Sequence, residues 1–181
     1  RGWNRGWSCS GTADSDISPV MKKENRCNSG YKKEKNIMIA IACDHGGYHL
    51  KEAVKAHLME KGYEVKDFGT NSLDSCDYPD YAAPAAKAVA DGTCEKGIVI
   101  CTTGIGVSIV ANKVKGIRCA LCSDPLSAEM TRRHNNTNML AMGAGIIGQN
   151  LAMDIVDTWL TTEFEGGRHQ RRVDKISALE G

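Results

Sequence analysis

Short apolar runs alternate with longer amphipathic segments from residue 37 onward. Five such runs lie at residues 37–43, 63–68, 97–101, 117–122 and 138–142, and most of them are continuously apolar rather than apolar at alternate positions. Continuous apolar strands are typical of a sheet that is covered on both faces. The runs therefore predict five strands of a buried sheet.

Six amphipathic segments separate or follow the runs, at residues 48–61, 79–91, 104–115, 125–134, 149–162 and 168–179. In the first of them Leu50, Val54 and Leu58 recur every four residues and share one face, as in a helix that covers a core. Asp124 followed by Pro125 is a typical pair for the start of the fourth helix. Strands and helices in this alternation predict an α/β domain of three-layer, Rossmann-like architecture, in which a five-stranded, mostly parallel sheet carries helices on both faces.

Residues 1–36 differ from the rest of the chain in charge and in pattern. They contain eight basic and four acidic residues and are near +4, whereas residues 37–181 are near −3. They show no apolar periodicity, and their polar composition buries too little surface to offset the entropy of ordering. We predict a disordered leader or non-native extension at 1–36, with Met21 and Met38 as alternative starts, and one domain at 37–181.

The whole chain is almost neutral, with 23 basic and 22 acidic residues. A net charge of +1 gives no field that would gather nucleic acid, so we expect no nucleic-acid partner. The apolar runs are far shorter than the ~20 residues that span a bilayer, and residues 1–36 lack the continuous apolar stretch of a secretory signal. We expect no membrane association, and the free thiols predicted below favour a cytoplasmic location.

Six cysteines lie in residues 37–181, and two of them, Cys119 and Cys122, have the CxxC spacing of redox and zinc sites. They fall in the fourth predicted strand, where residues three apart point to opposite faces of the sheet. The five histidines show no paired ligand spacing, since His45 and His49 would need a third ligand. We predict buried free thiols and no bound metal.

Reactive residues follow the first and third predicted strands. Asp44 and His45 come after the first, and Cys101 ends the third, directly before a glycine-rich turn into a helix. Ligands of parallel α/β sheets bind at the carboxyl ends of the strands, so these residues are expected at one site. The positive end of the helix favours a thiolate at Cys101, which predicts a base or a nucleophile. A capping turn at Asp44 and an inert buried thiol are the structural alternatives.

The turn after Cys101 supplies hydroxyl and backbone donors. Thr103, Gly104 and Gly106 are suited to cradle a phosphate or to stabilise an oxyanion. The glycines also begin a GxG dinucleotide motif, but Ile109 stands where the third glycine or alanine belongs, and the loop follows the third strand. We predict an anion site, and no dinucleotide or other cofactor.

Two further groups lie on predicted helices. His134 and Asn135 end the fourth helix, where an imidazole is suited to acid–base chemistry. Arg168 and Arg172 are four apart and share one face of the last helix, a geometry that suits a phosphate group. A polar cluster that caps the helix and a solvated basic face are the structural alternatives.

Taken together, these clusters resemble the type B ribose-5-phosphate isomerases, part of a sugar-phosphate isomerase family that also contains galactose-6-phosphate and allose-6-phosphate isomerases. The resemblance runs from about Met38 to Glu180 and rests on six segments in a fixed order, at residues 43–47, 77–79, 101–106, 111–113, 134–135 and 166–170. It implies interconversion of ribose 5-phosphate and ribulose 5-phosphate through a cis-enediolate. It also implies a homodimer whose active sites draw on both subunits.

The resemblance implies a role for each matching residue. Among the catalytic residues, Cys101 is the base and Thr103 provides a hydroxyl of the anion hole. His134 and Asp44 open the sugar ring. Among the substrate-binding residues, Gly104 and Gly106 complete the anion hole, and Asn135 and Tyr78 line the sugar. The phosphate is held by His45, Arg168 and Arg172.

Two positions depart from the family pattern. Thr102 follows the cysteine where glycine is usual, which restricts the backbone if this position needs a positive φ. Gly145 stands where an arginine is common, and substrate binding is weaker here if that arginine supports the phosphate or the dimer contact.

Two other functions are alternatives to a ribose-5-phosphate isomerase. One is an isomerase of six-carbon sugar phosphates. The other is a non-catalytic sugar-phosphate-binding module, which would have no use for Cys101 and His134 in register.

Overall fold

The computed structural model describes residues 37–180, so the predicted leader at 1–36 lies outside the described residues and its boundary stays a prediction. Within the described part five strands form one sheet: β1 (Met38–Cys43), β2 (Glu64–Asp67), β3 (Lys96–Cys101), β4 (Cys119–Leu121) and β5 (Met139–Gly143). Their order is β2-β1-β3-β5-β4, and every neighbouring pair is parallel. The five predicted strands are confirmed, and the sheet is parallel throughout.

Six α-helices lie in the described residues: α1 (Tyr48–Glu60), α2 (Pro79–Ala90), α3 (Ile105–Ala111), α4 (Pro125–Asn135), α5 (Gln149–Thr161) and α6 (Arg168–Ser177). Two short 3-10 turns lie at His45–Gly47 and Ala178–Glu180. Asp124 caps α4 as predicted, and its carboxylate accepts the Ser127 N–H at 2.8 Å. None of the helices in residues 37–180 combines the length and the apolar character that crossing a membrane requires.

Helix α3 is shorter than predicted, because Asn112 ends it. The Asn112 amide donates to the Ser108 carbonyl at 3.0 Å and to the Cys119 carbonyl at 2.9 Å. Its side-chain oxygen accepts the Cys119 N–H at 2.8 Å. Asn112 thus fixes the end of α3 to the first residue of β4, seven residues along the chain, a contact that apolar periodicity does not encode.

Two separate apolar layers confirm that helices cover both faces of the sheet. Helices α1, α4 and α5 pack on one face, against side chains such as Ile41, Ile100 and Leu140. Helices α2 and α3 pack on the other, against smaller side chains such as Ala42 and Ala141. The continuous apolar runs are explained, since successive residues of each central strand enter opposite layers.

Cys119 and Cys122 belong to opposite layers, as the sequence predicts. Cys119 packs on the α2 and α3 side and Cys122 lies in the other cluster. Burial raises the pKa of Cys119 to about 12 and that of Cys122 to about 11. All six cysteines in residues 37–180 are free, although Cys76 and Cys119 are only half-buried.

Candidate active site

Three loops meet at the carboxyl edge of the sheet, after β1, β3 and β5. Backbone hydrogen bonds join them, from the Asp44 N–H to the Ile100 carbonyl at 3.2 Å and from the Ala144 N–H to the Cys101 carbonyl at 2.9 Å. The Asp44 carboxylate is buried and accepts the Gly47 N–H at 3.0 Å, so it caps the turn that enters α1. The structure therefore brings Asp44 and Cys101 to one edge, and the predicted capping turn is present as well.

Cys101 ends β3 with 5% of its surface exposed. Its Sγ accepts the Gly104 N–H at 3.1 Å. Gly104 has a φ of +77°, and a Cβ there would lie 2.7 Å from the Met142 carbonyl carbon, so only glycine fits this turn. The turn presents a backbone donor to the sulfur, an arrangement suited to an atom that carries negative charge during a reaction.

The exposed face of this edge carries further polar groups. Thr103 is exposed, and its hydroxyl oxygen accepts the Ile105 N–H at 3.3 Å. Gly106 lies in the first turn of α3, where backbone N–H groups have no acceptor within the helix. The Tyr78 ring covers Gly106 so closely that a Cβ there would lie 2.7 Å from the ring.

His45 lies at the same edge, after β1. Its Nδ1 accepts the Cys76 N–H at 3.3 Å. In the neutral ring this bond places the proton on Nε2, a donor suited to a phosphate oxygen. The loop between β2 and α2 thereby orients a residue that the sequence assigns to phosphate binding.

The two departures from the family pattern lie against each other. The Gly145 N–H donates to the Thr102 carbonyl at 2.8 Å, and a Cβ at residue 145 would lie 3.2 Å from Thr102 Cγ2. Asn136 is the one non-glycine residue with a positive φ in residues 37–180, so Thr102 has an ordinary backbone conformation. The position after Cys101 therefore does not need glycine in this chain.

A second polar cluster surrounds the end of α4 and consists of His134, Glu165, Arg168 and His169. The rings of His134 and His169 are stacked, with centroids 4.3 Å apart and planes at 2°. Glu165 Oε2 lies 3.9 Å from His134 Nε2 and 3.5 Å from His169 Nε2. The Arg168 Nε–H donates to His169 Nε2 at 3.3 Å. Arg168 of the predicted phosphate clamp thus belongs to the same cluster as His134, through its contact with His169.

Two local features place this cluster. Asn136 ends α4 in the left-handed conformation, with φ 47° and ψ 47°, which asparagine tolerates better than most residues. Gly166 and Gly167, with φ of 64° and 56°, turn the chain into α6. Together they bring Glu165 and the first turn of α6 against the end of α4.

The two clusters lie at opposite edges of the sheet. Arg118, which precedes β4, donates to the Asn135 carbonyl at 3.1 Å, so His134 and Asn135 lie where the strands begin. Cys101 lies where β3 ends, and six strand residues span about 16 Å. One chain therefore does not bring His134, Asn135, Arg168 and Arg172 to Cys101.

Charge and burial act differently on Glu165 and His169. Hydrogen bonds from Arg133 hold the pKa of Glu165 below its usual value. Burial, and then the neighbouring His134, lower the pKa of His169. Sequence reasoning assigned no role to either residue. Glu165 precedes α6 rather than lying on it, so no helical spacing linked it to His169.

His134, Glu165 and His169 also offer three ligand atoms within 4.8 Å of one another. A metal ion between two imidazoles needs both nitrogen lone pairs directed at it in the ring planes. Rings stacked at 2° do not provide this, and Arg168 already occupies His169 Nε2. The arrangement is therefore better suited to acid–base chemistry than to metal binding.

Comparison with known proteins identifies the family. A family model described as Ribose/Galactose Isomerase matches residues 39–176. The chain belongs to the ribose/galactose isomerase family. Among family members, it is 54% identical over 142 residues to ribose-5-phosphate isomerase B of Escherichia coli, which covers 78% of this chain and 95% of that protein. The resemblance predicted from the sequence is confirmed.

Solved structures of the family share the fold. Ribose-5-phosphate isomerase B of Clostridium thermocellum is 53% identical, with a TM-score of 0.79 over 80% of this chain and 97% of that one. The Mycoplasma genitalium enzyme, solved with bound ribulose 5-phosphate, is 42% identical, with a TM-score of 0.77 over 80% of this chain and 96% of that one. The α/β fold is therefore that of the ribose/galactose isomerase family.

Proposed function

We propose that this protein is a ribose-5-phosphate isomerase that uses Cys101 as its base. The observation that carries the proposal is the Cys101 sulfur at the carboxyl end of β3, with the Gly104 N–H directed at it and the Asp44 carboxylate on the adjacent loop. The E. coli and C. thermocellum relatives named above carry the same activity in their names. The sugar-phosphate substrate follows from the same comparison.

The isomerisation moves one proton between adjacent carbons. The Cys101 sulfur removes the proton from C2 of the open-chain aldose, and the electron pair moves to the C1 oxygen to form a cis-enediolate. Thr103 and the backbone N–H of Gly106 face the developing negative charge. The Cys101 thiol then returns the proton to C1, the proton of the C2 hydroxyl passes to the C1 oxygen, and the ketose is released.

The furanose ring must open before this step. His134 donates a proton to the ring oxygen as the bond from C1 to that oxygen breaks, and Asp44 accepts the proton of the C1 hydroxyl. Asn135 and Tyr78 line the sugar. His45 holds the phosphate from one edge, and Arg168 and Arg172 hold it from the other.

This division of labour requires two chains. Because Cys101 and His134 lie at opposite edges of one sheet, we infer a homodimer in which each site combines Cys101 of one chain with His134 of the other. An apolar patch formed by Ile105, Leu121 and Ile146 lines a cavity beside Thr103, and Ile146 is 63% exposed. A second copy that covers this patch would deliver its own residues next to Cys101.

A coupled assay tests the reaction. Wild type is expected to convert ribose 5-phosphate to ribulose 5-phosphate, and Cys101→Ala to lose about 100-fold or more in kcat. Cys94→Ala removes a buried thiol near the start of β3 and serves as the matched control, with activity near wild type. An inactive wild type, or a Cys101→Ala variant as active as the control, would contradict the mechanism.

The same assay separates the alternatives. Allose 6-phosphate and galactose 6-phosphate are measured in parallel, and we expect kcat/KM to be highest for ribose 5-phosphate. A preference for either six-carbon sugar would assign the chain to that branch of the family. Tight binding of sugar phosphate without any turnover would indicate a binding module.

We also infer a cytoplasmic location. The six cysteines of the described residues are all free, in keeping with a reducing compartment. Fractionation of cells that produce the full chain, with an antibody to residues 37–181, tests this inference.

A further inference from the structure

Glu165 contacts the ring-opening residue of the proposed function but has no part in that function. Arg133 holds one carboxylate oxygen: its Nε–H donates to Oε1 at 2.6 Å, and its Nη2 lies 2.5 Å from the same atom. The Glu165 N–H donates in turn to the Arg133 carbonyl at 3.1 Å. The carboxylate is thus fixed at both backbone and side chain, and its other oxygen, Oε2, points to His134 and His169.

The buried His169 ring packs against one face of the His134 ring. His169 is 4% exposed, its ring is parallel to that of His134 at 4.3 Å, and its Nε2 accepts the Arg168 Nε–H. His169 Nδ1 is buried and has no hydrogen-bond partner in residues 37–180. Burying this nitrogen costs free energy, which the packing of the ring must offset. Burial keeps the pKa of His169 below its usual value, so it backs His134 as a neutral ring near pH 7.

We propose that Glu165, fixed by Arg133 and working with the His169 ring, is a positioning residue that holds the His134 imidazole for opening of the furanose ring. This inference rests on the proposed function of His134. At 3.9 Å, Glu165 Oε2 attracts a protonated imidazole without a hydrogen bond that would retain its proton. The proton therefore stays available to the sugar.

The groups that face His134 all contribute to this arrangement. Glu165 comes from the segment that leads into α6, and Arg133 precedes His134 on α4. His169 and Arg168 lie in the first turn of α6, where Arg168 bonds to His169 Nε2. Arg133 also binds Glu129 at 2.8 Å, so it carries two carboxylates. Without Glu165 the cations Arg133 and Arg168 would remain and would repel a proton on His134.

The test measures ring opening separately from isomerisation. In a Cys101→Ala background proton transfer at carbon is blocked, but the α and β anomers of [1-13C]ribose 5-phosphate still interconvert through the open aldehyde. Saturation-transfer NMR gives the rate of this exchange. We expect Cys101→Ala to accelerate it over buffer, and the double variant C101A/E165Q to lose about tenfold of that acceleration.

Matched variants distinguish positioning from a structural role. C101A/E163Q changes an exposed carboxylate two residues away and is expected to accelerate anomer exchange as C101A does. C101A/E165D retains the charge and is expected to recover part of the loss. Glu165→Gln is nearly isosteric. Calorimetric titration with ribose 5-phosphate should therefore give a Kd within about twofold of wild type, and the thermal unfolding midpoint should be unchanged.

Each outcome decides one question. Equal acceleration by C101A and C101A/E165Q overturns the positioning role, as does an equal loss in the E163Q control. An active wild type whose C101A variant does not accelerate exchange shows that ring opening is not catalysed, which removes the role assigned to His134 and this inference with it. An inactive wild type refutes the proposed function itself.

Discussion

The proposed sharing of the active site between two chains makes one prediction that can be worked through quantitatively. Cys101→Ala and His134→Ala each remove one half of every site, so each homodimer is expected to lose about 100-fold or more in kcat. Cys101 lies where β3 ends and His134 lies at the level where the strands begin, and β3 alone spans about 16 Å, so no rotation of side chains within one chain brings them together. A mixed dimer, by contrast, contains one site with both residues intact and one site with neither.

Random pairing of equal amounts of the two variants gives half of the dimers as mixed dimers, each with half of its sites intact. The mixture is therefore expected to recover about one quarter of wild-type activity. Unfolding and refolding the variants together allows subunits to exchange, and the coupled assay for ribulose 5-phosphate then gives kcat per chain.

The control mixes Cys101→Ala with the double variant C101A/H134A, a pair that cannot form an intact site. This mixture should stay at the level of its components. If the first mixture also stays there after subunit exchange has been verified by mass spectrometry, Cys101 and His134 do not share a site across two chains, and the dimer reasoning is refuted.

Two further predictions concern close packing and buried charge. Gly106→Ala would place a Cβ 2.7 Å from the Tyr78 ring, and we expect about a tenfold loss in kcat/KM with the thermal unfolding midpoint little changed. Lys51 is fully buried and its Nζ lies 2.8 Å from an Asp67 oxygen, so Lys51→Met should lower the free energy of unfolding by about 3 kcal/mol in a denaturant titration. Burial alone would raise the pKa of Asp67, but hydrogen bonds from Lys51 and Lys55 lower it, so its contribution to stability is present above about pH 4 and is lost below.

Neighbouring positions supply the controls for these predictions. Gly148→Ala introduces a Cβ with nothing within 4 Å and should leave kcat/KM unchanged. Lys55→Met removes a partly exposed partner of Asp67 and should cost less than about 1 kcal/mol. A Gly148→Ala variant as impaired as Gly106→Ala would contradict the packing argument. A stability profile of Lys51→Met that falls below pH 4 as steeply as that of wild type would contradict the assignment to Asp67.

The architecture was largely predictable because each central strand is buried on both sides. Runs such as residues 97–101 are apolar without alternation, and α1 repeats its apolar residues every four positions, so local periodicity marked most elements within one or two residues. The exception was the end of α3, where the Asn112 side chain bonds to the backbone of Cys119, at the start of β4. A hydrogen bond from a polar side chain to the next strand has no signature in apolar periodicity.

The candidate residues were identifiable one by one, since a cysteine at a strand end and a histidine at a helix end carry recognisable chemistry. Their grouping was predictable only for Asp44, His45 and Cys101, which follow strands that end at the same edge of the sheet. The sequence offered no measure of the distance between Cys101 and His134, and it left Glu165 as one exposed acidic residue among many. Glu165 differs from the other acidic residues because it lies at the edges of the stacked His134 and His169 rings, which only the structure shows.

The sequence by itself determined the periodicities, the turn glycines and the chemical groups of this protein, because these depend on neighbours within a few residues. The tertiary structure decided which groups meet. The parallel sheet sends Asp44 and Cys101 to the edge where strands end and returns α4 with His134 to the edge where they begin. That direction follows from the crossover connections between parallel strands, and it is the physical reason why a single chain keeps Cys101 and His134 apart.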